Sequence, residues 1–140
     1  MKINSDCARS ILLEVEKIPY GETITVAKLH ESINDFSIEE VLGIVTMFNR
    51  EHYLSVLDKV SYDDNDVLRD HKIKCLTEKG YKTLDLIRNE KLWKEIKNKI
   101  DDFDELSFYT IVDIANKIEN IRYNKMFDLP DDLFIQSNRW

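Results

Sequence analysis

Apolar residues recur along this chain at two spacings, and the change from one to the other lays out its elements. Ala8, Ile11, Leu12 and Val15 repeat at helical intervals, predicting a first helix from about Ser5 to Ile18. Asn4, Ser5 or Asp6 can cap its start, and Pro19-Tyr20-Gly21 ends it. Thr23, Ile24 and Thr25 are β-prone and predict a short strand, after which Thr25 caps a second helix over 26–33. Val26, Leu29 and Ile33 are its inward positions. Ser37-Ile38-Glu39-Glu40 then has the form of a capping box, the serine bonding forward and Glu40 bonding back. A third helix follows to about Glu51. Ile38, Val41, Leu42, Val45 and Phe48 are expected to face inward, and Glu39, Glu40, Gly43, Thr46, Asn49 and Arg50 outward.

From Tyr53 the period changes to two. Leu54, Val56, Val60 and Tyr62 share one face of a strand, Asp63-Asp64-Asn65-Asp66 makes a turn, and Val67 to Leu76 returns. Leu76-Thr77-Glu78-Lys79-Gly80 hands this hairpin straight to a fourth helix, capped by Thr77 and carrying Leu84 and Ile87 inward. The helix continues or restarts near Asn89, because Trp93, Ile96 and Ile100 hold a helical register. Asp101 to Glu105 is a break. Ser107 begins a last helix with an apolar stripe of Ile111, Ile114, Ala115, Ile118 and Ile121.

This order predicts a mainly α fold with a small β-hairpin wing, a winged helix-turn-helix followed by a C-terminal helical extension. The expected divisions are a winged-helix domain over 1–88, a helical extension over 89–125, and an acidic and apolar tail over 126–140. Helices two and three, joined by Asn34-Asp35-Phe36, resemble a helix-turn-helix, which makes helix three the recognition helix.

Two motifs carry a resemblance. Near the start stand Asp6, Arg9, Ile11, Leu12 and Leu13. Further on stand Leu76, Thr77, Gly80, Leu84, Asp85, Ile87, Arg88 and Trp93. In these residues the chain resembles a phage- and prophage-associated family of small bacterial proteins of unknown function. Its winged-helix module opens with D-x-x-R-x-I-L-L and closes with L-T-x-x-G-x-x-x-L-D-x-I-R…W. The likeness covers roughly residues 1–120. It implies a fold and a genomic habitat, and no catalytic residue. Family members often have His after the motif glycine, where this chain has Tyr81, and Ala-Gly after helix three, where it has Glu51-His52. Glycine suits the left-handed residue that follows many helices, and His takes that conformation less readily.

Charge changes the functional picture. The 140 residues carry a net charge of −7. Only 79–99 is basic, with seven lysines and arginines against three acids. DNA-binding domains draw much of their affinity from phosphate neutralisation, so an acidic chain with Glu39 and Glu40 at the start of its recognition helix is poorly suited to a duplex. Glu90–Lys94 and Glu95–Lys99 have the i, i+4 spacing that supports a helix, so the basic stretch reads first as a solvated helix.

Chemistry is sparse. There is no phosphate loop, dinucleotide fingerprint or zinc-protease motif, and three glycines leave no room for a Gly-rich elbow. Cys7 and Cys75 are far apart and outside any CxxC, which fits a reducing compartment. His71 and Cys75 share a strand face about 13 Å apart by strand rise, too far to hold one ion without a bulge. Expectation therefore falls on no enzyme, no metal and no cofactor, and on a cytoplasmic location in a bacterial host, since no apolar run reaches the length of a membrane span.

The leading expectation is a binding protein whose acidic surface engages a basic macromolecular partner, such as a host or anti-phage defence protein, by mimicking nucleic acid. Glu39, Glu40, Asp63, Asp64, Asp66, Asp131 and Asp132 would carry it. The alternative is a dimeric DNA-binding transcriptional regulator using Thr46, Asn49 and Arg50, with Lys72, Lys74, Lys79 and Lys82 on phosphates. A structural accessory role is the third. Ile111, Ile114, Ile118 and Ile121 would form a dimer face. In the tail, Asp132-Leu133-Phe134 resembles a docking peptide. The opposing expectation is an arm packing Phe127, Leu129, Leu133 and Phe134 on its own domain.

Overall fold

The computed structural model describes residues 3–57 and 72–127, which form a mainly helical protein with a small antiparallel sheet. Its elements are α1 (Ser5–Glu16), β1 (Ile24–Thr25), α2 (Val26–Ser32), α3 (Ile38–Arg50), β2 (Leu54–Val56), β3 (Lys72–Leu76), α4 (Glu78–Ile87), α5 (Glu90–Lys99), a 3₁₀ turn (Phe103–Glu105) and α6 (Phe108–Met126). Two compact units emerge, Met1–Leu84 and Asp85–Trp140, the division falling within α4.

Short polar side chains start these helices. Asn4, Thr25, Ser37, Asn89 and Ser107 each accept the backbone N–H three residues on, covering a donor that the helix itself leaves open. Ser37 and Glu40 form the complete capping box. Asn89 settles the fourth helical segment as a restart: α4 ends at Ile87 and α5 begins at Glu90. Between α1 and β1 the chain turns at Pro19–Glu22, where Gly21 takes φ 84° and the Glu22 amide reaches the Pro19 carbonyl.

In the first unit, α1, α2 and α3 pack with the sheet around fully buried Ile11, Leu12, Leu29, Ile44, Phe48 and Ile73. Each such side chain contributes about 1.5–3 kcal/mol of transfer energy. The α3 stripe is rotated from the expected one. Ile38 lies exposed on the first turn and Leu42 is half-buried, whereas Val41, Ile44, Val45 and Phe48 hold i, i+3, i+4, i+7 and are buried.

The three strands lie in the order β1-β3-β2. Ile24 pairs with Ile73 and Leu54 with Leu76, and a bulge separates the Ser55–Cys75 pair from Val56–Ile73. The extra residue, Lys74, shifts the phase of the strand, so that Ile73 and Leu76 both turn inward although three positions apart. The expected strand positions Val60 and Tyr62, and the acidic turn, lie outside the described residues.

In the second unit, Trp93 meets Phe103 edge-on at 5.5 Å between ring centres. Leu92, Ile96, Phe108, Ile111 and Ala115 are buried. No described helix is long and apolar enough to cross a membrane.

Candidate interaction surfaces

The motif around Leu76 to Gly80 builds a junction. At the end of α3, His52 takes φ 67°, its amide reaches the Asn49 carbonyl, and the Tyr53 amide reaches the Phe48 carbonyl at 2.8 Å. This is a Schellman closure, completed by Phe48 and Tyr53 with ring centres 5.0 Å apart. Thr77 clasps it from the other side. Its amide donates to the Tyr53 carbonyl, its hydroxyl donates to the His52 carbonyl, and the same oxygen accepts the Gly80 amide. A Cβ on Gly80 would collide with the Tyr53 carbonyl oxygen. Lys79 donates to the Glu51 carbonyl at 3.0 Å and lies over the Tyr53 ring. Thr77, Lys79 and Gly80 thus tie the start of α4 to the end of α3.

The outer face of α3 differs from its expected form. Glu39 is exposed on the first turn. Glu40 is half-buried, its carboxylate taken up by the Ser37 amide and by the Asn4 side-chain amide at 3.4 Å. Thr46 is buried, because its position falls beside Val45 on the packed side, and its hydroxyl donates to the Leu42 carbonyl at 2.8 Å. Its expected outward position is therefore corrected. Asn49 is half-buried and Arg50 exposed.

Of the lysines expected on phosphates, Lys72 and Lys74 are exposed on β3. Lys79 is held in the junction, and Lys82 sits 3.4 Å from Glu78 one helical turn earlier. Arg88, Lys94 and Lys97 of the basic stretch are similarly engaged. Arg88 pairs with Asp85 at 2.8 Å, Lys94 with Glu90 at 3.4 Å, and Lys97 lies over the Phe103 ring. The expected Glu95–Lys99 pair is replaced by Glu95–Arg122 at 2.8 Å, a contact between α5 and α6 that helical spacing along α5 could not reveal.

The second unit contains a groove of about 310 Å³ between α5 and α6. Ile96, Ile100, Ile114, Ile118 and Ile121 line it, and Lys99, Lys125 and the Glu95–Arg122 pair stand at its rim. The isoleucine stripe of α6 is accordingly divided. Ile111 is wholly buried by its own chain, so it drops out of the expected dimer face, whereas Ile114 and Ile118 are half-buried and Ile121 is exposed.

Cys7 is buried in α1, and that burial, with the Glu40 charge adding to it, pushes its thiol up to about 12. It is an unreactive core residue. Cys75 is free and half-buried. His30 donates to the Phe36 carbonyl at 2.8 Å and holds the α2–α3 turn. Among the described residues no three His, Cys, Asp or Glu gather as metal ligands. His71, Asp63, Asp64, Asp66, Asp131 and Asp132 lie outside them.

One comparison bears on this arrangement. The family described as Hypothetical protein (DUF2513) matches residues 2–106. The chain belongs to that family. The DUF2513 match takes in the whole junction, α5 and the 3₁₀ turn, and stops before α6, short of the span to 120 expected from the motifs. No curated protein and no solved structure matches the chain.

Proposed function

We propose that this chain is a non-enzymatic winged-helix binding protein of phage or prophage type that engages a basic macromolecular partner through acidic side chains. The winged-helix reading is supported by the element order α1-β1-α2-α3-β2-β3 and the sheet order β1-β3-β2, which that fold uses to place a hairpin beside its third helix. The observation that carries the acidic reading is the face of α3. Its first turn presents Glu39 to solvent, while Thr46 is turned into the core. Asp63, Asp64 and Asp66, between β2 and β3 in the sequence, add to a negative charge that phosphate binding opposes. A nucleic-acid-binding host or defence protein has the basic surface that such a face complements.

Arg50 and Asn49 at the end of α3, with Lys72 and Lys74 exposed on β3, favour duplex binding as the second reading. Fluorescence polarisation with a random duplex at low salt separates the two. The acidic reading expects no binding by the unaltered chain, a gain on Glu39→Lys, and retention of a basic nucleic-acid-binding protein from host lysate that Glu39→Lys abolishes. Duplex binding by the unaltered chain that weakens steeply with salt would overturn it.

A further inference from the structure

The groove between α5 and α6 has a floor of five isoleucines and no described segment upon it. We propose that its occupant is the chain's own C-terminal segment, residues 128–140. The inference goes beyond the proposed function and assigns Asp131 and Asp132 to this groove instead of to an external partner.

Chemistry, distance and charge support it separately. The segment reads DLPDDLFIQSNRW, so Leu133, Phe134 and Ile135 supply large apolar side chains for an isoleucine floor. Its acids, Asp128, Asp131 and Asp132, match the lysines at the rim. Lys99 and Lys125 line the groove, while Arg122 is already neutralised by Glu95, which leaves the rim net positive.

The segment also starts in the right place. Lys125 stands at one end of the groove, and α6 finishes one residue later at Met126. From Ile114 to Lys125 the groove follows α6 for about 17 Å at helical rise. Roughly five extended residues span that distance, so the segment can double back along α6 with residues to spare. Pro130 opposes further helix and favours such a return. A tether this short gives the segment an effective concentration in the millimolar range, so modest contacts suffice.

A second copy of the chain fits less well. Pairing the two grooves about a two-fold axis would set one net positive rim against another.

The test uses a dye-labelled peptide of residues 128–140, titrated into the full chain and into a full chain carrying Leu133→Asp and Phe134→Asp. The substituted chain is expected to bind at least about tenfold tighter, because its groove is no longer filled in cis. Adding Lys99→Glu and Lys125→Glu, or Ile118→Asp, should remove that binding. Equal binding by both chains, or binding by neither, overturns the proposal. So does a dimeric mass by light scattering that the tail substitutions reduce to a monomer, which would give the groove to the segment of another copy.

Discussion

At the scale of single residues, the junction after α3 rests on two backbone positions with opposite demands. His52 occupies a left-handed conformation that costs an L-residue roughly 1–2 kcal/mol and glycine almost nothing. His52→Gly should therefore raise stability by about 0.5–1 kcal/mol, after the greater freedom of glycine in the unfolded chain is deducted. Gly80 is the converse. It lies in the first turn of α4, where helix propensity alone would favour alanine, yet its Cα faces the Tyr53 carbonyl with no space for a methyl group. Gly80→Ala should cost about 1–3 kcal/mol through overpacking. Urea unfolding of the two variants checks both signs together, and a stabilising Gly80→Ala would refute the close approach. Tyr81, the next residue, is exposed, so a change there alters surface and not the junction.

At the scale of elements, the two glutamates that open α3 are unequal. Glu39 is exposed on the first turn, whereas Glu40 closes the capping box and reaches Asn4 at the start of α1. Glu40→Lys should destabilise the protein by about 1 kcal/mol, and Glu39→Lys should leave its unfolding midpoint nearly unchanged. Thermal melts of the two would show it, and equal midpoints would mean that the Glu40 contacts contribute nothing. The distinction matters for testing the proposed function, since of the two glutamates only Glu39 can be altered without disturbing the helix.

The same elements show what could be read from residues and what could not. Caps at Thr25, Ser37 and Thr77, and the helix start at Ser107, were legible because a short polar side chain before an apolar repeat is local chemistry, while Asn4 was legible as one of three candidates. The restart at Asn89 was legible as one of two outcomes. The rotation of α3 that buries Ile44 and Thr46 was not, because seven apolar positions on one helix allow two neighbouring stripes, and the choice depends on what packs against them. Spacing along α5 points Glu95 to Lys99 four residues on, but its partner Arg122 lies 27 residues away on another helix. The groove was invisible for the same reason: Ile96 and Ile100 come from one element, and Ile114, Ile118 and Ile121 from another.

At the scale of the whole molecule, the buried thiol of Cys7 links stability to pH. In the unfolded chain it releases its proton near its ordinary value of 9.0, while in the folded chain burial first, and the Glu40 charge second, hold that proton up to about 12. Between those values the folded state binds more protons than the unfolded state. Stability must therefore fall as pH rises through this window, by on the order of 1 kcal/mol per pH unit, and Cys7 contributes no pH dependence below it. Cys7→Ala should flatten that decline relative to the unaltered chain, although the smaller side chain lowers stability at neutral pH by leaving space between α1 and its neighbours. Unfolding midpoints measured from pH 8 to pH 11 for both chains isolate the effect, because every other titrating group is shared. Parallel curves would mean that the thiol ionises without unfolding the protein, and that Cys7 is open to water instead of sealed in the core. Maleimide labelling supplies the kinetic counterpart. Cys75, half-buried on β3, should react in the native state while Cys7 reacts only as the first unit opens, so the ratio of the two rates measures that opening directly.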